Sequence, residues 1–178
     1  MNISESTANH SLELVKMNVN GRDYVFKVGV DFAPSDTLST VLRERLGLMG
    51  VRVSCEQGAC GACTVLYNDE AVLSCMKLAV DADGAKIVTI EGLSSDDPVV
   101  KAFIEESEPG YGTAMQCGFC TPGFVMGTHS LLKKNPNPTL EEVKEGLSGH
   151  FCRCGCYKAI SKAALVAAGR MLQEKGGK

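Results

Sequence analysis

Cysteines carry the chemistry legible in this chain. From Cys55 to Cys75 the sequence reads CEQGACGACTVLYNDEAVLSC, with four, two and eleven residues between successive members of Cys55, Cys60, Cys63 and Cys75. Thiolates gathered this tightly repel one another and lack hydrogen-bond partners unless a cation sits among them. A C-x4-C-x2-C run followed by a distant fourth cysteine is the spacing with which thiolates hold the two irons of a plant-type [2Fe-2S] cluster. Gly58, Gly61 and Ala62 let the backbone wrap closely and aim N–H groups at sulfur, which a bulky side chain would obstruct. Zinc would favour two cysteine pairs, and here the first gap is four residues and the last cysteine stands alone, so the spacing points to iron.

A second group follows: Cys117 and Cys120 in QCGFCTPG, then Cys152, Cys154 and Cys156 in GHFCRCGCY. Pairs at C-x2-C and C-x-C joined by a helical hairpin can gather four sulfurs around one centre. Alone, this group suits zinc as readily as iron; beside the first, a second [2Fe-2S] cluster is the expectation, because two redox centres in one small chain form an electron path. No Ser-His-Asp arrangement, phosphate-cradling glycine loop or paired carboxylate is present, so no catalytic residue is expected in this chain.

Composition narrows the role. A chain of 178 residues has room for two modest cores and none for a large enzyme's substrate pocket, which favours a carrier. Net charge is −3 without a basic run, and Trp is absent, which argues against nucleic acid or an anionic membrane surface as partner. The first residues, MNISESTANHSLELVK, have neither a basic nor an apolar leader region, and no apolar run approaches the roughly 20 residues that span a bilayer. A cytoplasmic location is therefore expected, with the nine cysteines serving as metal ligands rather than disulfides.

The elements that must position these thiols follow from pattern. Residues 1–10 read as a loose tail. Leu12, Leu14 and Val19, the turn Asn20-Gly21, and Tyr24, Phe26, Val28 and Val30 predict two antiparallel strands. Leu38, Val41, Leu42 and Leu46 predict a short helix ending at Gly47, with Arg43, Glu44 and Arg45 facing water. Strands are expected over Thr64–Tyr67, Ala71–Ser74 and Ile87–Ile90. The texture turns helical after Glu91-Gly92: helices are predicted from Pro98 through Glu106, from Pro122 to Lys134, from a Thr139/Glu142 capping box to about Gly149, and from about Lys158 to Glu174, with Leu140, Val143, Leu147, Ile160, Ala164, Leu165, Ala168 and Leu172 inward and Pro109–Gly112 as a loop. The expected fold class is α+β: a plant-type β-grasp ferredoxin domain over 11–91, then a four-helix-bundle domain over 92–178.

Over roughly residues 12 to 170 the chain resembles the iron-sulfur subunits or domains of molybdenum hydroxylases, the xanthine dehydrogenase and carbon monoxide dehydrogenase group. LRERLGLMG, CEQGACGACTV, IEGL, QCGFCTPGF and GHFCRCGCY carry the resemblance, in that order. It implies one [2Fe-2S] cluster on Cys55, Cys60, Cys63 and Cys75 and another on Cys117, Cys120, Cys152 and Cys154. It also implies a large subunit with a molybdopterin cofactor and a medium subunit with FAD, in a heterotrimer or a dimer of heterotrimers. The implied activity is oxidation of a substrate in the large subunit with oxygen from water, the electrons leaving through this chain. The helical-domain cluster would lie nearest the molybdenum and the other nearest the flavin. Gln116 is similar to the family's glutamine that approaches the pterin, and Cys154 to the ligand closest to it. Rival readings are the same path in a dehydroxylating reductase with reversed flow, a zinc-stapled scaffold and a free-standing ferredoxin.

Two departures stand out. His150 replaces an asparagine, and Gly155-Cys156 replaces Thr-Gly. Cys156 is expected to be a small buried residue that starts the last helix, the other readings being a tuning contact or a ligand swap, and His150 a loop residue in a polar role rather than a metal ligand. Arg153, between two thiolates, either offsets cluster charge or forms a surface ion pair. His10 and His129 read as ordinary, and the methionines as packing, with Met115 placed for a subunit interface.

Overall fold

The computed structural model describes residues 13–108 and 112–176; the expected tail, His10, Leu12 and the stretch 109–111 lie outside the described residues. Alternation builds β1 (Leu14–Val19), where Val15, Met17 and Val19 are buried. Asn20 and Gly21, at φ +52° and +81°, reverse the chain as a type I′ turn requires, and β2 (Arg22–Lys27) pairs antiparallel with β1. Phe26 packs edge-on against Phe32, but Val30, expected to continue the alternation, is 65% exposed. The strand stops at Lys27 because its N–H donates to the Asp31 carboxylate at 2.6 Å while the Asp31 N–H returns to the Lys27 carbonyl, curling the chain into a turn.

The helix expected before the first cysteine loop comes in two pieces. Thr37 caps α1 (Leu38–Thr40), and the backbone then widens into a π turn over Val41–Arg45, with Gly47 just beyond at φ +70°. Leu38, Val41 and Leu42 are fully buried in one core with Val15, Val65 and Ile87. Arg43 is not left to water: its guanidinium donates to the Val51 carbonyl at 2.7 Å and holds the approach to the loop.

β3 (Thr64–Tyr67), β4 (Glu70–Leu73) and β5 (Ala85–Val88) complete a sheet ordered β2-β1-β5-β3-β4. β1 and β5 pair in parallel, so after β2 the chain leaves one side of the sheet, runs through the first cysteine loop, adds β3 and β4 on the far side, and closes with β5 between β1 and β3. The IEGL segment then acts as a clasp. Asn20 donates to Thr89 Oγ1 at 2.9 Å and accepts the Thr89 N–H at 2.8 Å, while Glu91 accepts from Thr89 Oγ1 and from the Gly50 N–H, each at 2.6 Å.

A second apolar core gathers α2 (Pro98–Glu105), α3 (Thr121–Lys134), α4 (Leu140–Gly146) and α5 (Tyr157–Gly176), with a short hairpin of β6 (Ser107–Glu108) and β7 (Gly112–Thr113) after α2. The chain is thus of mixed α+β class. Asp97 caps α2, accepting from the Val99 and Val100 N–H groups, and also meets His129 Nε2 at 3.0 Å, which ties α2 to α3 and gives His129 a structural partner. Thr139 and Glu142 form the expected capping box. Leu140 and Leu172, expected inward, are 43% and 40% exposed. Val143 and Leu147 already fill the inward face where α4 ends, and the buried stripe of α5 runs through Ile160, Ala163, Ala164, Ala167 and Ala168, with Leu172 off that line.

The two cores meet face to face. α3 lies against β3 and β4, with the Ala71 N–H donating to Ser130 Oγ at 3.1 Å, Lys133 paired to Asp69 at 2.8 Å and Lys134 paired to Glu70. At the start of α3 the backbone of Gly123 touches that of Gly61, where a Cβ on Gly123 would sit 2.3 Å from the Gly61 carbonyl oxygen. Both atoms belong to backbone that neither side can retract. Gly123→Ala should therefore lower stability by about 1–3 kcal/mol, read as a fall in the denaturant midpoint; an unchanged midpoint would contradict this account of the contact.

Candidate metal centres

The β3–β4 hairpin sets the inner half of the first site. Its register pairs Thr64 with Leu73, which brings Cys63, just before β3, beside Cys75, just after β4. The Ser74 N–H and Oγ both donate to the Cys63 carbonyl, at 3.3 and 2.7 Å, and fix the approach. The two thiols are buried and hydrogen-bonded to each other, and burial first, then the Cys75 thiol, pushes Cys63 up to about 11. Cys55 and Cys60 form the outer half, half-buried and again hydrogen-bonded together. The backbone N–H of Gln57 is the largest influence on Cys55 and lowers it to about 7, helped by Cys60 and by the Ala59 N–H at 3.3 Å. Amides aimed at sulfur, as the loop's small residues predict, are thus in place.

Helix ends set the second site. Cys120 stands at the N-cap of α3, Cys117 in the loop before it, and Cys152 and Cys154 in the loop leading to α5. Cys120 meets Cys152 on the inside and Cys117 meets Cys154 on the outside, where Cys117 is exposed. Burial pushes Cys120 up to about 12. Cys152 is buried too, but the N–H groups of Cys156 and Cys154 and the Cys120 thiol outweigh burial and lower its pKa. Cys156 is buried at the head of α5 as expected, its thiol against Cys152, and burial first, then the charge of Cys152, raises its pKa. Gln116, Met115 and Phe119 form an exposed rim beside the outer pair. Arg153 is exposed, with no ion pair among the described residues.

The eight cysteines therefore come together in twos. Among the described residues no three His, Cys, Asp or Glu side chains converge on one ion position. A structural zinc wants four ligands around one centre, whereas a two-iron cluster takes two thiolates at each iron. The donor set fits the second.

Several contacts at this junction went unread in the sequence. The Phe151 N–H donates to the Cys60 carbonyl at 2.9 Å, a backbone bond that joins a residue of the first site to the neighbour of Cys152. Tyr157 accepts the Cys152 N–H on its hydroxyl at 2.8 Å, satisfying a donor beside a buried thiol; its place five residues after Cys152 was the available signal. Thr64 Oγ1 donates to the Gly61 carbonyl at 2.7 Å, so in its 3.1 Å contact with His150 Nε2 the imidazole is the donor. Burial lowers the His150 pKa, partly offset by the carbonyls of Leu147 and Gly123, and the neutral ring leaves Nδ1 buried without a partner.

Comparison with known proteins agrees with this geometry. Residues 18–88 match the family described as a 2Fe-2S iron-sulfur cluster binding domain, and residues 89–165 the one described as a [2Fe-2S] binding domain. The chain is 43% identical over 164 residues to the nicotine 6-hydroxylase small subunit of Paenarthrobacter nicotinovorans, covering 91% of this chain and 93% of that one. It is 38% identical over 159 residues to the nicotinate dehydrogenase small FeS subunit of Eubacterium barkeri, covering 88% and 95%. Among solved structures, a chain of quinoline 2-oxidoreductase from Pseudomonas putida 86 superposes with a TM-score of 0.80 at 37% identity, covering 91% of this chain and 97% of that one. With two [2Fe-2S]-binding domains in succession and relatives of matching length, this chain belongs to the small iron-sulfur subunits of the molybdenum hydroxylase family, whose role is electron transfer.

Proposed function

We propose that Cys55, Cys60, Cys63 and Cys75 hold one [2Fe-2S] cluster, and Cys117, Cys120, Cys152 and Cys154 the other, in an electron path between a molybdopterin-bearing large subunit and an FAD-bearing medium subunit. The observation that carries this reading is the pairing of thiols at both sites, an inner and an outer pair at each. When bound, each cluster accepts and passes on single electrons. The chain's own residues hold the two centres at a fixed separation, shield the inner thiols and aim N–H groups at sulfur.

In this reading residues 11–91 are a plant-type β-grasp domain and 92–178 a four-helix bundle. Each site opens on its own exposed rim: Met115, Gln116 and Phe119 beside Cys117 and Cys154, and Met76 beside Gly58 of the first loop. Two separate openings suit two different partners. The first rim faces the pterin, with Gln116 and Cys154 nearest to it; the second faces the flavin. A heterotrimer or a dimer of heterotrimers follows, with the substrate pocket in the large subunit. Among the described residues no helix is long and apolar enough to cross a membrane.

The reduced complex should contain about four irons attributable to this chain and give two distinct low-temperature EPR signals, because a strand hairpin and helix ends surround the sulfurs differently; full loading with a single signal would sink the two-site reading. Gln116→Ala should leave both signals in place and slow reduction by substrate in the complex about tenfold, equivalent to ~1.4 kcal/mol, whereas an unaltered rate would remove Gln116 from the pterin-facing rim. Cys154→Ala should lose the second cluster and retain the first, while Cys156→Ala should retain both with the second signal shifted. The opposite pattern would move the ligand-bearing turn to Gly155-Cys156.

A further inference from the structure

Cys156 is absent from the ligand set above, yet its sulfur is not directed into apolar packing alone. It stands in hydrogen-bonding contact with the Cys152 sulfur, and the two residues are 6% and 4% exposed. The chain between them closes on itself: the Gly155 N–H donates to the Cys152 carbonyl at 3.2 Å, and Gly155 adopts φ +76°, which folds the Cys156 side chain back onto the corner that Cys152 occupies. The Gln116 N–H faces the Cys156 sulfur, so this thiol has the kind of amide donor that the other cluster-facing sulfurs have. Neither Cys117 nor Cys120 has a spare sulfur beside it in this way; their thiol partners are Cys154 and Cys152, already members of the set. A residue needed only to be small and buried at the head of α5 would satisfy that need as alanine, without a thiol turned to a ligand.

We propose that Cys156 is a reserve ligand of the second cluster, able to take the iron position of Cys152. The proposal rests on the ligand reading above. The exchange breaks one iron–sulfur bond, to Cys152, and forms one, to Cys156. Cys156 releases its proton and Cys152 takes one up, so no electron moves and the charge of the centre is unchanged. The site can then survive chemical loss of its innermost loop thiolate, which no other corner of either centre provides for.

Two pairs of variants, each purified in the native complex, test this by iron content and low-temperature EPR. Serine at position 152 is nearly isosteric and can itself ligate through oxygen, so Cys152→Ser and Cys152→Ser/Cys156→Ala separate the two outcomes. If Cys156 steps in, the single variant keeps an all-thiolate second signal with about four irons, and the double variant differs from it, either by an oxygen-shifted signal or by a fall to about two irons. Identical second signals in the two, or loss of the second cluster from the single variant, overturn the proposal. Cys152→Ala should likewise keep about four irons and Cys152→Ala/Cys156→Ala about two; about two in both overturns it, and should the alanine variants not fold, the serine pair decides. Cys154→Ala serves as reference: about two irons there upholds the ligand reading, so a failure at Cys152 then falls on the reserve role alone, whereas about four would mean the ligand reading itself has failed.

Discussion

Everything that this chain does depends on two loops touching through bare backbone. Gly61 lies between Cys60 and Cys63 in the first loop, and a Cβ there would sit 2.7 Å from the Gly149 carbonyl oxygen and from the His150 ring. Gly123, one turn into α3, meets the Gly61 carbonyl from the other side. With no side chains between them, the loops approach closely enough for the Phe151 N–H to reach the Cys60 carbonyl at 2.9 Å. The first site is thus linked to Cys152 through one hydrogen bond and the peptide that follows it. Electron tunnelling falls steeply with separation, so a carrier needs its centres both near and fixed, and backbone contact is stiffer than any contact mediated by rotatable side chains.

The same junction explains why the two sites are built alike from unlike elements. A strand hairpin delivers Cys63 and Cys75, and helix ends deliver Cys120 and Cys152, but in each case the pair nearer the core is the more protected and the other opens outward. Burial raises the pKa of inner thiols such as Cys63 and Cys120, while amide N–H groups lower that of Cys55 and Cys117. Cys152, an inner thiol, departs from this pattern: the N–H groups of Cys156 and Cys154 and the Cys120 thiol outweigh its burial and lower its pKa.

Local signals were readable in the sequence wherever one residue's chemistry decides the backbone. Asn20-Gly21 dictates its turn, Thr139 with Glu142 its cap, and Pro98 and Pro122 the first turns of their helices. Cysteine spacing revealed the grouping of sulfurs because ligand geometry constrains spacing directly. What stayed hidden was set by partners distant in sequence. Arg43 has the pattern of a surface residue and turns inward only because the Val51 carbonyl needs a donor; the π turn under it has no composition of its own. Leu140 and Leu172 obey helical periodicity to within one position and still lie outside the core, Leu140 on the wall of an open groove with Tyr157 and Leu165. Thr64 looks like the start of a strand, and its contact with His150 exists because two halves of the chain dock, whereas the Tyr157 hydroxyl accepts from Cys152 only five residues away.

His150 shows how such docking absorbs a change of residue type. An asparagine at this place would offer a short amide to the neighbouring loop; the imidazole is bulkier and offers one donor, Nε2, to Thr64. The extra volume is accommodated on two sides by residues without Cβ atoms, since a Cβ on Gly127 would lie 2.7 Å from His150 Cε1 and one on Gly61 equally close to Cδ2. Phe124 packs on the ring with centroids 5.0 Å apart, and burial holds the His150 pKa below its ordinary value, so the ring is neutral, with Nδ1 buried and without a hydrogen-bond partner. The unpaired Nδ1 costs something, about 1–3 kcal/mol for a buried polar atom. Against that stands a rigid aromatic wedge that fills the seam between the two cores and donates across it. In a protein that has to hold two centres at constant separation, a stiff ring in the seam is the more useful occupant.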